Sequence, residues 1–158
     1  MADAIEDFLN NVSSQLDSKQ VKVGFIDGAT HTETGESIAQ IAAWNEYGQP
    51  ENNQPPRPFF RNAISDHEDE WKESLAKMIS SGITVDQALE LIGAQIRGDV
   101  QESISQLMDP ALSDATLHIR RTRKKRPTDS TKPLVDSGDM FGDVKYEVGE
   151  IEPSQNIQ

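Results

Sequence analysis

Apolar residues recur along this chain at two spacings, one typical of helices and one typical of strands. Near the N-terminus the spacing is three and four residues, and it predicts a helix over residues 1–18. Its narrow apolar stripe consists of Ile5, Phe8, Leu9, Val12 and Leu16. The rest of this helix is polar, so the stripe needs another surface to lie against.

The same helical spacing predicts three further helices. The segment over 36–47 is apolar almost all round, which is typical of a short buried helix. A helix over 59–81 follows, and the longest predicted helix covers 84–109. Gly93 and Gly98 interrupt that last segment. Each glycine costs up to about 1 kcal/mol relative to alanine, so a bend in the helix is an open alternative.

Alternating apolar and polar residues predict two strands, over 21–25 and 144–148. Leu134-Val135 is interpreted as a third, short strand that leads into a turn over 136–139. Strands are thus few. The whole pattern predicts an α+β fold, in which long helices pack on a small, mostly antiparallel β-sheet and are joined by extended loops.

Composition limits the core and favours assembly. Of the 158 residues only 35% are hydrophobic and 6% are aromatic, against a usual apolar share of about 45–50%. We therefore expect a small core, and a partner or another copy of the chain that covers the remaining apolar surface. One domain is expected over 1–148. The polar residues 149–158 lack periodicity and are expected to form a disordered tail.

Charge and cysteine content exclude several classes of chemistry. The chain has 15 Lys and Arg against 27 Asp and Glu, a net charge of −12, and no cysteine. Disulfides, thiolate metal sites and thiol catalysis are therefore excluded. The acidic start differs from a secretory signal, and no stretch approaches the ~20 apolar residues of a membrane span. We expect no export and no membrane contact.

Motifs that would indicate an enzyme are weak. His31, His67 and His118 do not pair at metal-ligand spacing, and the acidic run over 66–70 is interpreted as a solvated helix face. Asp136-Ser137-Gly138 matches the active-site tripeptide of aspartic proteases, but in a chain with so few strands a plain turn is favoured. The sequence contains neither a glycine-rich phosphate loop nor a nucleophile elbow. It predicts no enzyme, no metal site and no cofactor.

Basic residues are concentrated in one cluster, which lies in a loop that is expected to be exposed over 119–133. Such a cluster can neutralise the phosphates of DNA. It can equally meet an acidic protein surface, which every other copy of this chain offers. The cluster consists of Arg120, Arg121, Arg123, Lys124, Lys125 and Arg126.

A second candidate site consists of two motifs that join the second and third predicted helices. Its prolines hold the chain extended, and Arg57 and Arg61 carry forked donors that suit carboxylates, within the fold or on the next subunit. A subunit interface and an anchor within the fold are both open, although for Phe60 core packing is favoured by its place on the apolar stripe. The candidate residues are Trp44, Glu46, Tyr47, Arg57, Pro58, Phe59, Phe60 and Arg61.

Four segments carry patterns that occur together in one family. After the strand over 21–25, residues 37–48 and 56–61 are similar to "IA-x-x-NE-[FY]-G" and "RPF-[FL]-R". Residues 112–117 and 132–140 are similar to "LS-x-x-T" and "KPL-[IV]-D-[ST]-G-x-[LM]". In this order they resemble the virion morphogenesis proteins of tailed bacteriophages, which are tail-completion or head–tail joining proteins.

The resemblance implies a structural, non-enzymatic protein that assembles as a six-fold ring at the neck, between the head connector and the tail. Its partners would be further copies of itself and the neighbouring neck, connector and tail proteins, with genomic DNA passing through the channel. It would be found in the virion, and in the host cytoplasm during assembly. Both the completion ring and the adjoining terminator ring remain open. The alternative is a phage DNA-binding or packaging accessory factor that uses the basic cluster.

Overall fold

A computed structural model describes residues 2–26, 28–31 and 34–151 of the chain. Over these residues it confirms the α+β class, with helices packed on a small antiparallel sheet. In chain order the α-helices and strands are α1 (Ala2–Ser18), β1 (Lys19–Gly24), α2 (Ile38–Tyr47), α3 (Phe59–Ser80), α4 (Val85–Gln106), α5 (Asp114–Thr122), α6 (Asp139–Gly142) and β2 (Lys145–Glu150). A short 3-10 helix, Pro50–Asn52, lies between α2 and α3.

The sheet pairs strands from opposite ends of the chain. β1 and β2 run antiparallel, with Val21 opposite Val148. Leu134 does not belong to a strand, contrary to the prediction. It lies in a turn with its side chain buried, so its apolar character reflects packing in the core and not strand formation. Residues 149–151 do not belong to a disordered tail, contrary to the prediction, because β2 extends to Glu150 and the amide of Ile151 donates to the Ser18 carbonyl. Residues 152–158 lie outside the described residues.

α4 is the central element, and its two halves belong to two apolar clusters. The first cluster joins the C-terminal half of α4 to α2, the start of α3 and α6. The second joins the N-terminal half of α4 to α3 and to the C-terminal half of α1. Thr84 caps the start of α4 by accepting a hydrogen bond from the Gln87 amide. The helix ends at Gln106, before the predicted stop at 109, and the next residue, Leu107, is buried.

Two helices differ from their predicted packing. The short helix α2 is not buried all round: Ile38, Ala42 and Glu46 are buried, whereas Tyr47 is 70% exposed. The stripe of α1 is covered only where Val12 and Leu16 pack against the second cluster. Its other members point to solvent, and they are Ile5, Phe8 and Leu9, which are 63%, 53% and 59% exposed.

The two glycines of α4 have different environments, which the sequence does not distinguish. α4 is continuous through both. A Cβ on Gly93 would lie 2.5 Å from Cδ2 of Tyr146 and 2.9 Å from Cγ2 of Val21, whereas nothing lies within 4 Å of a Cβ on Gly98. Gly93 therefore lets α4 approach the sheet closely.

We expect Gly93→Ala to lower the free energy of unfolding by about 1–3 kcal/mol, because the added methyl overpacks the contact between helix and sheet. Gly98→Ala should raise it by about 0.5–1 kcal/mol, since only the helix propensity changes there. Urea denaturation of both variants measures the difference. Two shifts of the same sign would contradict the close approach at Gly93.

Candidate functional site

Glu46, at the end of α2, holds the first turn of α3. Its side chain is 8% exposed, and its carboxylate accepts hydrogen bonds from the amides of Phe60 at 2.9 Å and Arg61 at 3.1 Å. Pro58, at the cap position of α3, provides no side-chain hydrogen bond. The first amides of a helix lack partners within the helix, so a carboxylate from α2 satisfies them and complements the helix dipole.

Arg61 completes this junction from the other side. Its Nε lies 2.8 Å from Oε1 of Glu46, and one terminal nitrogen donates to the Glu46 carbonyl at 2.8 Å. Its guanidinium also lies over the ring of Tyr47, 5.1 Å from the centroid. A carboxylate partner was expected either within the fold or on the next subunit, and Arg61 has one within the fold.

Arg57 binds backbone carbonyls, where a carboxylate was expected. The residue is 6% exposed, and its side chain donates to the carbonyls of Pro110 at 2.9 Å and Ala111 at 3.2 Å. Burial lowers the pKa of its guanidinium. Arg57 therefore ties the start of α3 to the segment that precedes α5.

The aromatic residues of this candidate site divide between core and surface. Phe59 is 1% exposed and packs edge-to-face on Phe25 and Phe60, with centroids 6.2 and 6.1 Å apart. Phe60 packs against the first cluster and is half-buried, so its predicted core packing is met in part. Trp44 is half-buried and lines a cavity next to α2 that also contains His31 and is described below.

The basic cluster is not one exposed loop, contrary to the prediction. Residues up to Thr122 belong to α5, which Ser113 caps, and Arg120 in its last turn is 7% exposed. The guanidinium of Arg120 donates to the carbonyls of Lys132 at 2.9 Å, Pro133 at 3.0 Å and Ser130 at 3.2 Å. Burial lowers the pKa of Arg120, and nearby Asp136 opposes that shift. Arg120 therefore has a structural role within the fold, and it is no longer a candidate for contact with a partner or with DNA.

Two more members of the cluster hold the segment that leads into α6. Arg123 binds both carboxylate oxygens of Asp136, at 2.8 and 2.6 Å. Arg126 lies 3.4 Å from Asp139 and donates to the Ser137 carbonyl at 3.0 Å. Arg126 is itself exposed, with 45% of its side chain in solvent, and is set apart because of these contacts. The other three exposed basic residues of the cluster are called the basic face. Its members are Arg121, which lies 3.5 Å from Asp129, together with Lys124 and Lys125.

A cavity of about 500 Å³ brings together polar residues that the sequence keeps far apart. Ser137 Oγ lies 3.4 Å and Asp139 Oδ2 lies 3.6 Å from Nε2 of His31. A hydroxyl nucleophile needs a base that contacts it through one ring nitrogen and is oriented through the other. Here both contacts converge on the same nitrogen, so they do not form that arrangement. Ser137 also accepts a hydrogen bond from the Asp139 amide, and the tripeptide of 136–138 forms the turn before α6, as predicted.

The acidic run on α3 is a solvated face, as predicted. Asp66, Glu68, Asp69 and Glu70 are exposed, and His67 lies 3.1 Å from Glu70. This hydrogen bond raises the pKa of His67. In the described part of the chain, no group of three or more His, Asp or Glu side chains is placed to hold a metal ion. None of the helices there has the length and apolar character that crossing a membrane requires.

Comparison with known proteins gives no relative for this chain. A scan against protein-family models, a search of curated proteins and a search of solved structures each returned no match.

Proposed function

We propose that this chain is a structural virion protein of a tailed bacteriophage, which forms a ring at the neck, completes the tail and joins it to the head connector. The observation that carries the proposal is the way the four resembling segments interlock. Glu46 of the first segment binds Arg61 of the second, and Arg57 of the second binds backbone just before the third. The third begins α5, whose Arg120 binds backbone of the fourth. Residues of these segments, together with Arg120, thus connect the elements of the fold, which is the kind of role expected in a structural protein.

Exposed apolar side chains support assembly. Besides the α1 residues, Tyr47, Leu91 and Ile119 are 70%, 52% and 62% exposed. A contiguous exposed apolar patch is typical of proteins that associate, and the stripe of Ile5, Phe8 and Leu9 on α1 is the strongest candidate. A neck ring would cover such side chains against neighbouring copies and neighbouring rings, which agrees with the small core that the composition predicts.

The basic face would meet an acidic neighbouring protein. It carries three charges per copy, on Arg121, Lys124 and Lys125, which is half of the six in the original cluster. Phosphate contacts shift affinity steeply, since 6–10 of them change it by about 10³–10⁵ over a modest salt range. A channel that releases a genome should not hold it so tightly. Protein contact is therefore favoured over DNA contact. The accessory-factor alternative is weakened as well, because fewer basic residues of the cluster are available to bind DNA.

The test replaces only the basic face, by Arg121→Ser, Lys124→Ser and Lys125→Ser together. Arg123 and Arg126 are kept because they bind the segment before α6. In a phage that carries this gene, we expect the variant to fold normally and to leave heads and tails unjoined, because the electrostatic contact to the neighbour is lost. Electron microscopy of the particles, with the wild-type chain quantified in purified virions, measures this.

A matched control changes exposed lysines elsewhere, Lys72→Ser with Lys77→Ser on α3, and should leave joining intact. Absence of the wild-type chain from finished particles would contradict a structural function and favour the accessory factor. Particles of the triple variant that join normally but leak DNA would show that the basic face contacts DNA.

A further inference from the structure

The N-terminal half of α1 presents apolar side chains that nothing in the described chain covers. Residues 3–11 are all exposed, including Phe8 at 53% and Leu9 at 59%. Isolated helices shorter than about 12–15 residues are marginal in water, so this half is stabilised only by its continuity with the packed half. An apolar helix surface in this position needs a partner.

A small apolar groove lies on another side of the molecule, between α2 and the start of α3. Its volume is about 280 Å³. Ligand pockets usually measure about 300–1,000 Å³, so this groove suits one or two protein side chains better than a small molecule. Its apolar lining includes Phe25, Ala39, Ala43, Tyr47, Phe60 and Ile64.

The charges of the two surfaces are complementary. α1 contains Asp3, Glu6, Asp7 and Asp17 and no basic residue. The rim of the groove carries Arg61, which binds Glu46 but keeps 56% of its side chain exposed, whereas Glu46 is only 8% exposed and also accepts two amides of α3. The charge that faces solvent at this rim is therefore the cation. An acidic helix can therefore place its apolar residues in the groove and its carboxylates near a cation.

We propose that α1 of one copy docks through Phe8 and Leu9 into the groove of the next copy. A copy does not fill its own groove, because Val12 and Leu16 fix α1 on the second cluster while the groove opens beside the first. The contact joins two different surfaces and is therefore head-to-tail, which is the kind of contact that closes rings. The inference deepens the proposed function, on which it rests, by assigning the interface between ring subunits.

The absence of cysteine allows a direct test by disulfide cross-linking of the full chain. A disulfide forms only when the two Cβ atoms approach to about 3.5–4.5 Å. The test variant carries Phe8→Cys and Ala43→Cys, and the control carries Phe8→Cys and Leu91→Cys, since Leu91 is exposed but lies outside the groove. Oxidation takes place at about 0.15 M salt, where a Debye length of about 8 Å screens the long-range repulsion between copies of charge −12 but not a close contact between an α1 carboxylate and Arg61.

We expect a ladder of dimers, trimers and larger species from the test variant and no species beyond a dimer from the control. A mixture of the two single variants should give one covalent heterodimer and stop there, because each copy then has one reactive surface. Equal ladders from test and control, a link within one copy, or no link at all would each overturn the proposal.

A particle assay with Phe8→Asp separates this inference from the proposed function. If the wild-type chain is found at the neck but the test variant forms no ladder, the interface assignment fails and the function stands. If the ladder forms but the chain is absent from particles, the proposed function fails alone. If Phe8→Asp blocks incorporation while the isolated test variant forms no ladder, the occupant of the α1 surface is a neighbouring protein and the proposal is overturned.

Discussion

Arg120→Ala is expected to lower the free energy of unfolding by about 3 kcal/mol or more, because three carbonyls lose their donor and each unsatisfied buried group costs about 1–3 kcal/mol. Arg120 is 7% exposed and binds Ser130, Lys132 and Pro133. Arg120→Lys should recover less than half of the loss, since an ammonium group cannot reproduce the planar fork. Chemical denaturation of the purified chain measures both variants.

The neighbouring arginine is the matched control. Arg121 is exposed and lies 3.5 Å from an almost fully exposed Asp129, so Arg121→Ala should change the free energy of unfolding by less than about 0.5 kcal/mol. If the two alanine variants are equally stable, the hydrogen bonds of Arg120 to the backbone of residues 130–133 do not stabilise the fold. The segment would then be the exposed loop that the charge pattern alone predicts.

Glu46→Ala is expected to lower the free energy of unfolding by about 2–4 kcal/mol. The variant loses a helix cap, usually about 0.5–2 kcal/mol, and hydrogen bonds between charged groups, each about 1.5–3 kcal/mol. Glu46→Gln keeps an acceptor for one amide and should lie between Ala and wild type. Urea denaturation measures the stability, and hydrogen exchange at the first turn of α3 locates the change.

Glu73→Ala on the exposed face of α3 serves as the control. Its pair with Lys77 is a solvated contact between residues four apart, worth about 0.2–0.5 kcal/mol. If Glu46→Ala costs no more than Glu73→Ala, or if exchange at Phe60 and Arg61 is unchanged, the junction between α2 and α3 does not depend on this carboxylate.

Periodicity predicts those elements whose buried positions are apolar, and it misses α5 for a specific reason. The buried position in the last turn of α5 is held by Arg120, so a basic residue stands where the pattern requires an apolar one. The ends of the helix do carry a recognisable pattern: Ser113 as the cap, Asp114 in the first turn and basic residues in the last turn. A search for capping residues and for charges that complement the helix dipole would have predicted a helix in this segment.

The candidate site shows the same limit. The motifs around Glu46 and Arg61 could be identified from the sequence, and so could the affinity of Arg61 for a carboxylate. The contact of His31 with Ser137 spans 106 positions, and the close approach of Gly93 to Tyr146 depends on how α4 crosses the sheet. Neither local propensity nor spacing encodes such contacts, because they arise only when distant elements pack.

The pairing of β1 with β2 limits the order in which the parts of this chain can fold during synthesis. Over the described residues β1 has no other strand partner, so it stays an open edge until the chain has been made as far as Glu150. Pairings between such distant segments form late, because a long loop must close first. α1 runs directly into β1 and packs on the second cluster, which includes Val148 of β2, so the packing around α1 is complete only when β2 arrives. A nascent or truncated chain that lacks β2 is therefore expected to hold α1 less firmly than the chain that includes it.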